Sequence, residues 1–198
     1  MASFGAIAAT SRAILGLLES AAPGHPEFAG TTFSLYGSAD LQQPTLDRVA
    51  VSLYLYHVSV NTTRRNLTPR VDSLGRRLKP AIPLDLHYLL TAWSKEPGMQ
   101  QRLFGWAVRV IQDTPTLPAA VLNQQSPEEV FRPDETVELI WENLSQQDIF
   151  EVWEVARKHH QPSATYVARI LEIESTDALV ESPLVQTRDF HYGEVTVP

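Results

Sequence analysis

The sequence predicts an α/β (α+β) fold, with one mixed β-sheet of about five strands flanked by three main helices. Three observations carry this. The segment VAVSLYLYHVSV (49–60) is long, β-branched and aromatic, and apolar on both faces, as a covered strand is. Further strand-like segments stand at 31–36, 81–93, 135–143 and 163–175. Helical patterns separate some of these but not others, and strands that do not alternate strictly with helices indicate a mixed sheet.

Along the chain, Phe4, Ile7, Ala8, Ile14, Leu15 and Leu18 recur at helical spacing and predict an amphipathic helix over residues 3–20. Ser3 is placed to cap it, and Pro23 with Gly24 ends it. TTFSLY (31–36) reads as a short strand, and residues 37–47 carry the turn chemistry of a loop. In 49–60 the alternation puts Val49, Val51, Leu53 and Leu55 on one face. Tyr54, Tyr56, Val58 and Val60 take the other, and a strand so covered belongs in the middle of its sheet. Residues 61–80, broken by Pro69 and Gly75, read as a long exposed loop, a feature that compact domains usually keep for function.

The strand at 81–93 sets Ile82, Leu84, Leu86, Tyr88 and Leu90 against Asp85, His87, Leu89 and Thr91. Ser94 is a candidate cap for the next helix, with Pro97 in its first turn and the stripe Met99, Leu103, Trp106, Ala107, Val110, Ile111. Pro115 and Pro118 close it, and a short helical turn and loop fill 119–131. After the strand at 135–143, Ser145 and Asp148 form a capping box for a third helix with Ile149, Val152, Trp153 and Ala156 inward. In the last strand, Val167, Arg169, Leu171 and Ile173 are expected on one face. The reading divides the chain into a domain over 1–183 and a β-rich tail or arm over 184–198.

Composition narrows the function. The 198 residues are 43% hydrophobic with a net charge of −7 and no cysteine, a globular composition without disulfides, thiolate metal sites or cysteine nucleophiles. No apolar run reaches membrane-spanning length, and the N-terminal segment lacks the pattern of a signal peptide. The charge is divided. Residues 48–80 hold seven basic side chains and one acidic, whereas 127–198 hold five basic and fifteen acidic. Such blocks are either solvated faces or complementary patches that align identical subunits head to tail.

Nucleotide-binding and hydrolase fingerprints are absent. Asp85 and His87 share a strand face, as metal ligands or a proton-transfer pair would, but no third ligand is near in sequence, so a structural pair is the better reading. His159 and His160 follow a helix, where imidazolium is favoured by the dipole. Trp93, Trp106, Trp141 and Trp153 all take apolar positions and are expected in the core. No metal or cofactor is expected. Arg64, Arg65, Arg70, Arg76, Arg77 and Lys79 form the basic segment and are candidate protein-interface residues, or a solvated loop. A phosphate grip is less consistent, because no aromatics are interleaved and the rest of the chain is acidic. Phe190, Tyr192, Val195 and Val197 give the tail an apolar pattern that calls for a partner strand, in this chain's own sheet or a neighbour's.

The segments LYLYHVSVNTTRRN (53–66), PLDLHYLLTAWS (83–94), RLFGWAVRVIQDTPTLP (102–118), ELIWENLSQQDIFEVW (138–153) and PSATYVARILEIE (162–174) resemble, in order and spacing, the N-terminal domain of the cap or tail-terminator proteins of contractile injection systems. The resemblance covers residues 1–175. It implies a tail-terminator-like fold and a non-enzymatic structural part. Such a part is a homohexameric ring on the distal end of the inner tube and sheath, stopping polymerisation and holding sheath to tube. Its partners would be itself, the tube protein and the sheath protein, with no nucleic acid and no membrane span. It would be assembled in the cytoplasm into a phage-tail-like particle. The alternatives are another tail or neck adaptor of such a particle, a basic-loop nucleic-acid binder, or a small enzyme using Asp85 and His87.

Overall fold

The computed structural model describes residues 2–44, 48–64, 67–72, 74–126, 128–156 and 159–180. In chain order its elements are α1 (Ala6–Ala21), β1 (Thr32–Tyr36), α2 (Ser38–Gln42), β2 (Ala50–Val60), β3 (Ile82–Trp93), α3 (Pro97–Asp113), β4 (Thr116–Pro118), α4 (Ala119–Gln124), β5 (Thr136–Glu142), α5 (Gln146–Trp153) and β6 (Ser163–Ile173). The strands form one mixed sheet in the order β1-β2-β3-β6-β5-β4, with β1 parallel to β2 and every other pair antiparallel. The predicted class holds, with six strands among the described residues rather than about five. The additional strand, β4, is three residues between Pro115 and Ala119, too short to leave an alternation in the sequence.

Two cores lie on opposite faces of the sheet. On the first, α1, α3 and α4 cover Val51, Leu53, Leu86, Tyr88, Leu90, Val137, Leu139 and Tyr166. Tyr88 is fully buried there, and its hydroxyl shares a 2.8 Å hydrogen bond with Ser11 of α1. On the second, α2 and α5 bring Leu41 and Trp153 against Ala50, Leu89 and Trp93. A covered strand needs both layers, which is why β2 and β3 are apolar on both faces over the length they share with α2 and α5.

Local chemistry sets the element ends, in places differently from expectation. The segment 37–47 contains α2, because Asp40 folds back to accept from the Gly37 N–H at 2.8 Å. Glu96 rather than Ser94 caps α3, its carboxylate accepting from the N–H groups of Gly98 and Met99. The Ser145 and Asp148 capping box forms as expected.

Two β-bulges change which residues share a face. Leu55 pairs with Tyr88 but His57 with His87, so β2 spends an extra residue at Tyr56. Val58 and Val60 thereby fall on the first face, opposite Leu86 and Leu84, and not beside Tyr54 as strict alternation requires. In β6 the pairing passes from Leu171 opposite Leu84 to Ala168 opposite Leu86, placing Arg169 and Ile170 together against Asp85. Val167 and Leu171 therefore face opposite ways. Ile170 takes φ 67°, which costs a β-branched residue about 1–2 kcal/mol. Ile170→Gly is expected to leave stability within about 1 kcal/mol of the parent, because relief of that strain offsets the lost side chain. Urea denaturation of the two chains measures the difference, and a larger loss would show that the Ile170 side chain contributes more than its backbone costs.

Trp93, Trp153 and Trp106 pack as expected, but Trp141 is 39% exposed and lies edge-on to Tyr166. No helix among the described residues is long and apolar enough to cross a membrane.

Candidate functional site

The basic segment after β2 does not hang free. Buried Asn61 turns the chain: its amide N–H donates to Pro83, its side-chain amide donates to both oxygens of Asp85 at 3.0 Å, and its side-chain oxygen accepts from the N–H groups of Thr63 and Arg64. Arg64 is thereby aimed at the end of β6, where Glu172 accepts from it at 2.9 Å. Arg70 binds Glu174 at 2.7 Å, and Arg132 binds the same carboxylate at 2.7 Å and Glu135 at 3.3 Å. Alternating charges thus run from Arg64 through Glu172, Arg70, Glu174 and Arg132 to Glu135. The side chain of Glu174, only 7% exposed, is the buried member.

Residues 70–79 then form a small hairpin. Leu78 N–H donates to Arg70 C=O, Val71 bridges Arg77, and Gly75 makes the turn at φ 77°. The Asp72 carboxylate accepts from the N–H groups of Leu74 and Arg76 and from the Arg76 guanidinium. The chain after β6 adds a third strand to this ribbon. Lys79 N–H donates to Asp177 C=O, Leu179 N–H donates to Arg77 C=O, and Lys79 Nζ donates to the Asp177 carboxylate at 2.8 Å. Two polar clefts of about 320 and 300 Å³ flank the ribbon, both bordered by Arg64, Arg70 and Glu172.

Of the six basic candidates, the structure places Arg64, Arg70, Arg76, Arg77 and Lys79 on this ribbon and its stem. Arg64, Arg70 and Lys79 lie against carboxylates of the acidic C-terminal third of the same chain, so part of the charge complementarity read from the sequence is met within one molecule. Arg65 and the tail residues Phe190, Tyr192, Val195 and Val197 lie outside the described residues.

Both ribbon carboxylates titrate low. Asp72 is held below its ordinary value of 3.8 first by the Arg76 backbone N–H and then by the Arg76 guanidinium, and Asp177 is held below 3.8 by Lys79. A carboxyl whose folded pKa is depressed stabilises the fold above its unfolded pKa, and that contribution is lost as pH falls through the folded one. The amide NMR signals of Leu74 and Arg76 should therefore titrate below 3.8 while those of β3 stay in place. Signals that move only together with β3 would make the ribbon an inseparable part of the domain.

Asp85 and His87 share a face but serve different networks. Asp85 accepts from Asn61 and from Ile170 N–H at 3.3 Å, holding the β6 bulge. His87 Nε2 lies 3.0 Å from Ser59 Oγ, and its Nδ1 lies 3.1 Å from Glu142, which also accepts from the Tyr56 hydroxyl at 2.7 Å. Burial first, and then the Glu142 hydrogen bond, push the Tyr56 hydroxyl well above its ordinary 10.0, so it stays a proton donor. Ser59, His87 and Glu142 have the order of a nucleophile, base and carboxylate. They are neighbours on an open sheet face, however, and neither Ser59 nor His87 lines either cleft. The arrangement is best read as a polar staple joining β2, β3 and β5. Glu142 and Ser59 carried no signal in the sequence, because they meet His87 only across strands.

The sequence matches the family described as the Pvc16 N-terminal domain over residues 9–187. No curated protein matches it. Among solved structures, the fold is similar to the sheath/tube terminator of PVC, an extracellular contractile injection system, in its extended state. The TM-score is 0.56 at 16% identity, covering 93% of this chain and 65% of that one. It is also similar to the tube-terminating cap of the anti-feeding prophage, with a TM-score of 0.51 at 15% identity, covering 88% of this chain and 60% of that one. This chain therefore spans less than two thirds of either chain's length. A family match across residues 9–187 leaves little of the sequence outside it, and the chain belongs to the Pvc16 N-terminal domain family.

Proposed function

We propose that this chain is a structural terminator of a contractile injection system. It acts as a ring of six copies on the end of the inner tube and sheath, covering the surface that the next layer would need. Growth stops by occlusion, and no reaction is required. The observation that carries this reading is the fold shared with the PVC sheath/tube terminator over 93% of this chain. The family match over residues 9–187 supports it.

In this reading residues 1–183 are the ring-forming domain and 184–198 an arm. The contacts to neighbouring copies, tube and sheath are assigned to Arg64, Arg65, Arg70, Arg76, Arg77 and Lys79, and to Phe190, Tyr192, Val195 and Val197. The Arg64 side chain is 52% exposed beside its carboxylate partner, so the ribbon offers a surface of mixed sign. Such a surface fixes register and orientation more than it adds affinity.

The test is deletion of the gene in the producing cell, with particle length and sheath attachment measured by electron microscopy and the tagged protein located on intact particles. Particles of uncontrolled length or with detached sheath, and a label at the tube end, are expected. Label at the opposite end would make the protein an adaptor, and particles of normal length without it would remove the terminator role.

A further inference from the structure

The outer edge of β2 is only half covered. β1 pairs with it from Ala50 to Tyr54 and ends at Tyr36. Beyond that point, over residues 55–60, no strand lies on the outer side of β2 among the described residues, while β3 continues along its inner side to Val60. This stretch, LYHVSV, carries no Lys, Asp, Glu or Pro. Open edges of natural sheets usually carry such residues to prevent unwanted pairing. The Tyr56 bulge offers some protection, but the four residues after it resume regular pairing with β3. Val58 and Val60 are 40% and 49% exposed on the first face, and Ile82 lies exposed on the same face. His57 and Ser59 point to the other face. The edge thus requires a strand with two apolar residues on one side and polar or acidic residues on the other.

We propose that residues 55–60 of β2 are the docking edge for this chain's own C-terminal residues 194–198, which add as a strand outside β2. The segment reads Glu-Val-Thr-Val-Pro. Val195 and Val197 would extend the patch made by Val58 and Val60, and Glu194 and Thr196 would face His57 and Ser59. Pro198 ends the pairing where no further N–H is needed.

Reach and mass action favour the same molecule over a neighbour. The last residues of the ribbon leave the domain beside the end of β6, where Ile173 pairs with Ile82. The end of β2 is two strand spacings away in the sheet, about 10 Å. Residues 181–193, even as a random coil, have an end-to-end distance of about 20 Å. A linker matched to its span gives effective concentrations in the millimolar range, above that of a dilute second copy.

The protein contains no cysteine, so Thr196→Cys in the full chain gives one site for a nitroxide label. In isotope-labelled protein, the amides of His57, Val58, Ser59 and Val60 should broaden, and those at the far end of the sheet should not. The broadening should disappear when the isotope and the nitroxide are on different molecules in a mixed sample. Val195→Asp with Val197→Asp, carrying the same label, should abolish it, with hydrogen exchange of the β2 edge amides rising roughly tenfold. Broadening elsewhere, or none, overturns the assignment. Broadening in the mixed sample also overturns it, by placing a second copy on the edge. None of these measurements depends on particles, so the result stands apart from the terminator reading.

Discussion

Glu174→Gln is expected to destabilise the protein by about 2–3 kcal/mol, measured by urea denaturation at neutral pH, whereas Arg64→Ala should cost under about 1 kcal/mol. The two residues belong to one run of alternating charges and differ in burial. The Glu174 carboxylate is 7% exposed and accepts from two guanidinium groups, Arg70 and Arg132, each at 2.7 Å. Removing one member of a buried charged network leaves its partners desolvated and uncompensated, typically a loss of about 3–5 kcal/mol. Arg70 and Arg132 are each partly exposed and recover some hydration, which brings the figure to the lower end of that range. Arg132 retains Glu135, but its Nε is buried without a hydrogen-bond partner, so its tolerance of a further loss is small. Arg64, by contrast, is half exposed, and exposed ion pairs contribute little. Equal effects for the two variants would mean that the run acts as one exposed unit. A loss in Glu174→Gln that disappears when Arg132 is also replaced by methionine would confirm that the unpaired guanidinium is the cause.

This network also shows what the sequence discloses and what it conceals. The opposite charges of residues 48–80 and 127–198 are legible by counting, and so is their pairing in some form. That Glu172, Glu174 and Asp177 meet Arg64, Arg70 and Lys79 of the same molecule depends on β3 and β6 being sheet neighbours, which only the topology supplies. The long strands are evident because β-branched and aromatic residues recur with period two. The face of Val58 is lost because one added residue at Tyr56 reverses every later position, and a bulge leaves no mark in composition. The short helix α2 escapes the periodicity argument because five residues do not complete two turns. Asp85 and His87 are correctly found on one face and correctly read as structural. The sequence could not show that their true partners are Asn61 and Glu142, 24 and 55 positions away.

Trp93→Ala should have the largest effect of the single substitutions, about 3–5 kcal/mol, and its consequences should be local. Trp93 ends β3 with no exposed surface, and its indole N–H donates to Ser52 Oγ at 2.8 Å. Its ring lies 5.9 Å from that of Tyr36 and 6.2 Å, edge-on, from that of Trp153. It is the largest fully buried side chain of the core beneath α2 and α5. Truncation removes the transfer free energy of an indole, opens a cavity that a rigid sheet cannot close, and leaves the Ser52 hydroxyl without its donor. In a domain of this length such a loss lowers the melting temperature by roughly 10 °C. Trp93→Phe restores most of the volume but not the hydrogen bond, and is expected to fall in between. The same truncation at Trp141, already 39% exposed, should cost far less. The core under α1, α3 and α4 shares no buried side chain with that of Trp93. Amides of α5 should therefore exchange faster in Trp93→Ala while those of α1 and α3 keep most of their protection. Uniform acceleration across all helices would instead make the two faces a single cooperative unit, with the sheet transmitting the loss from one side to the other.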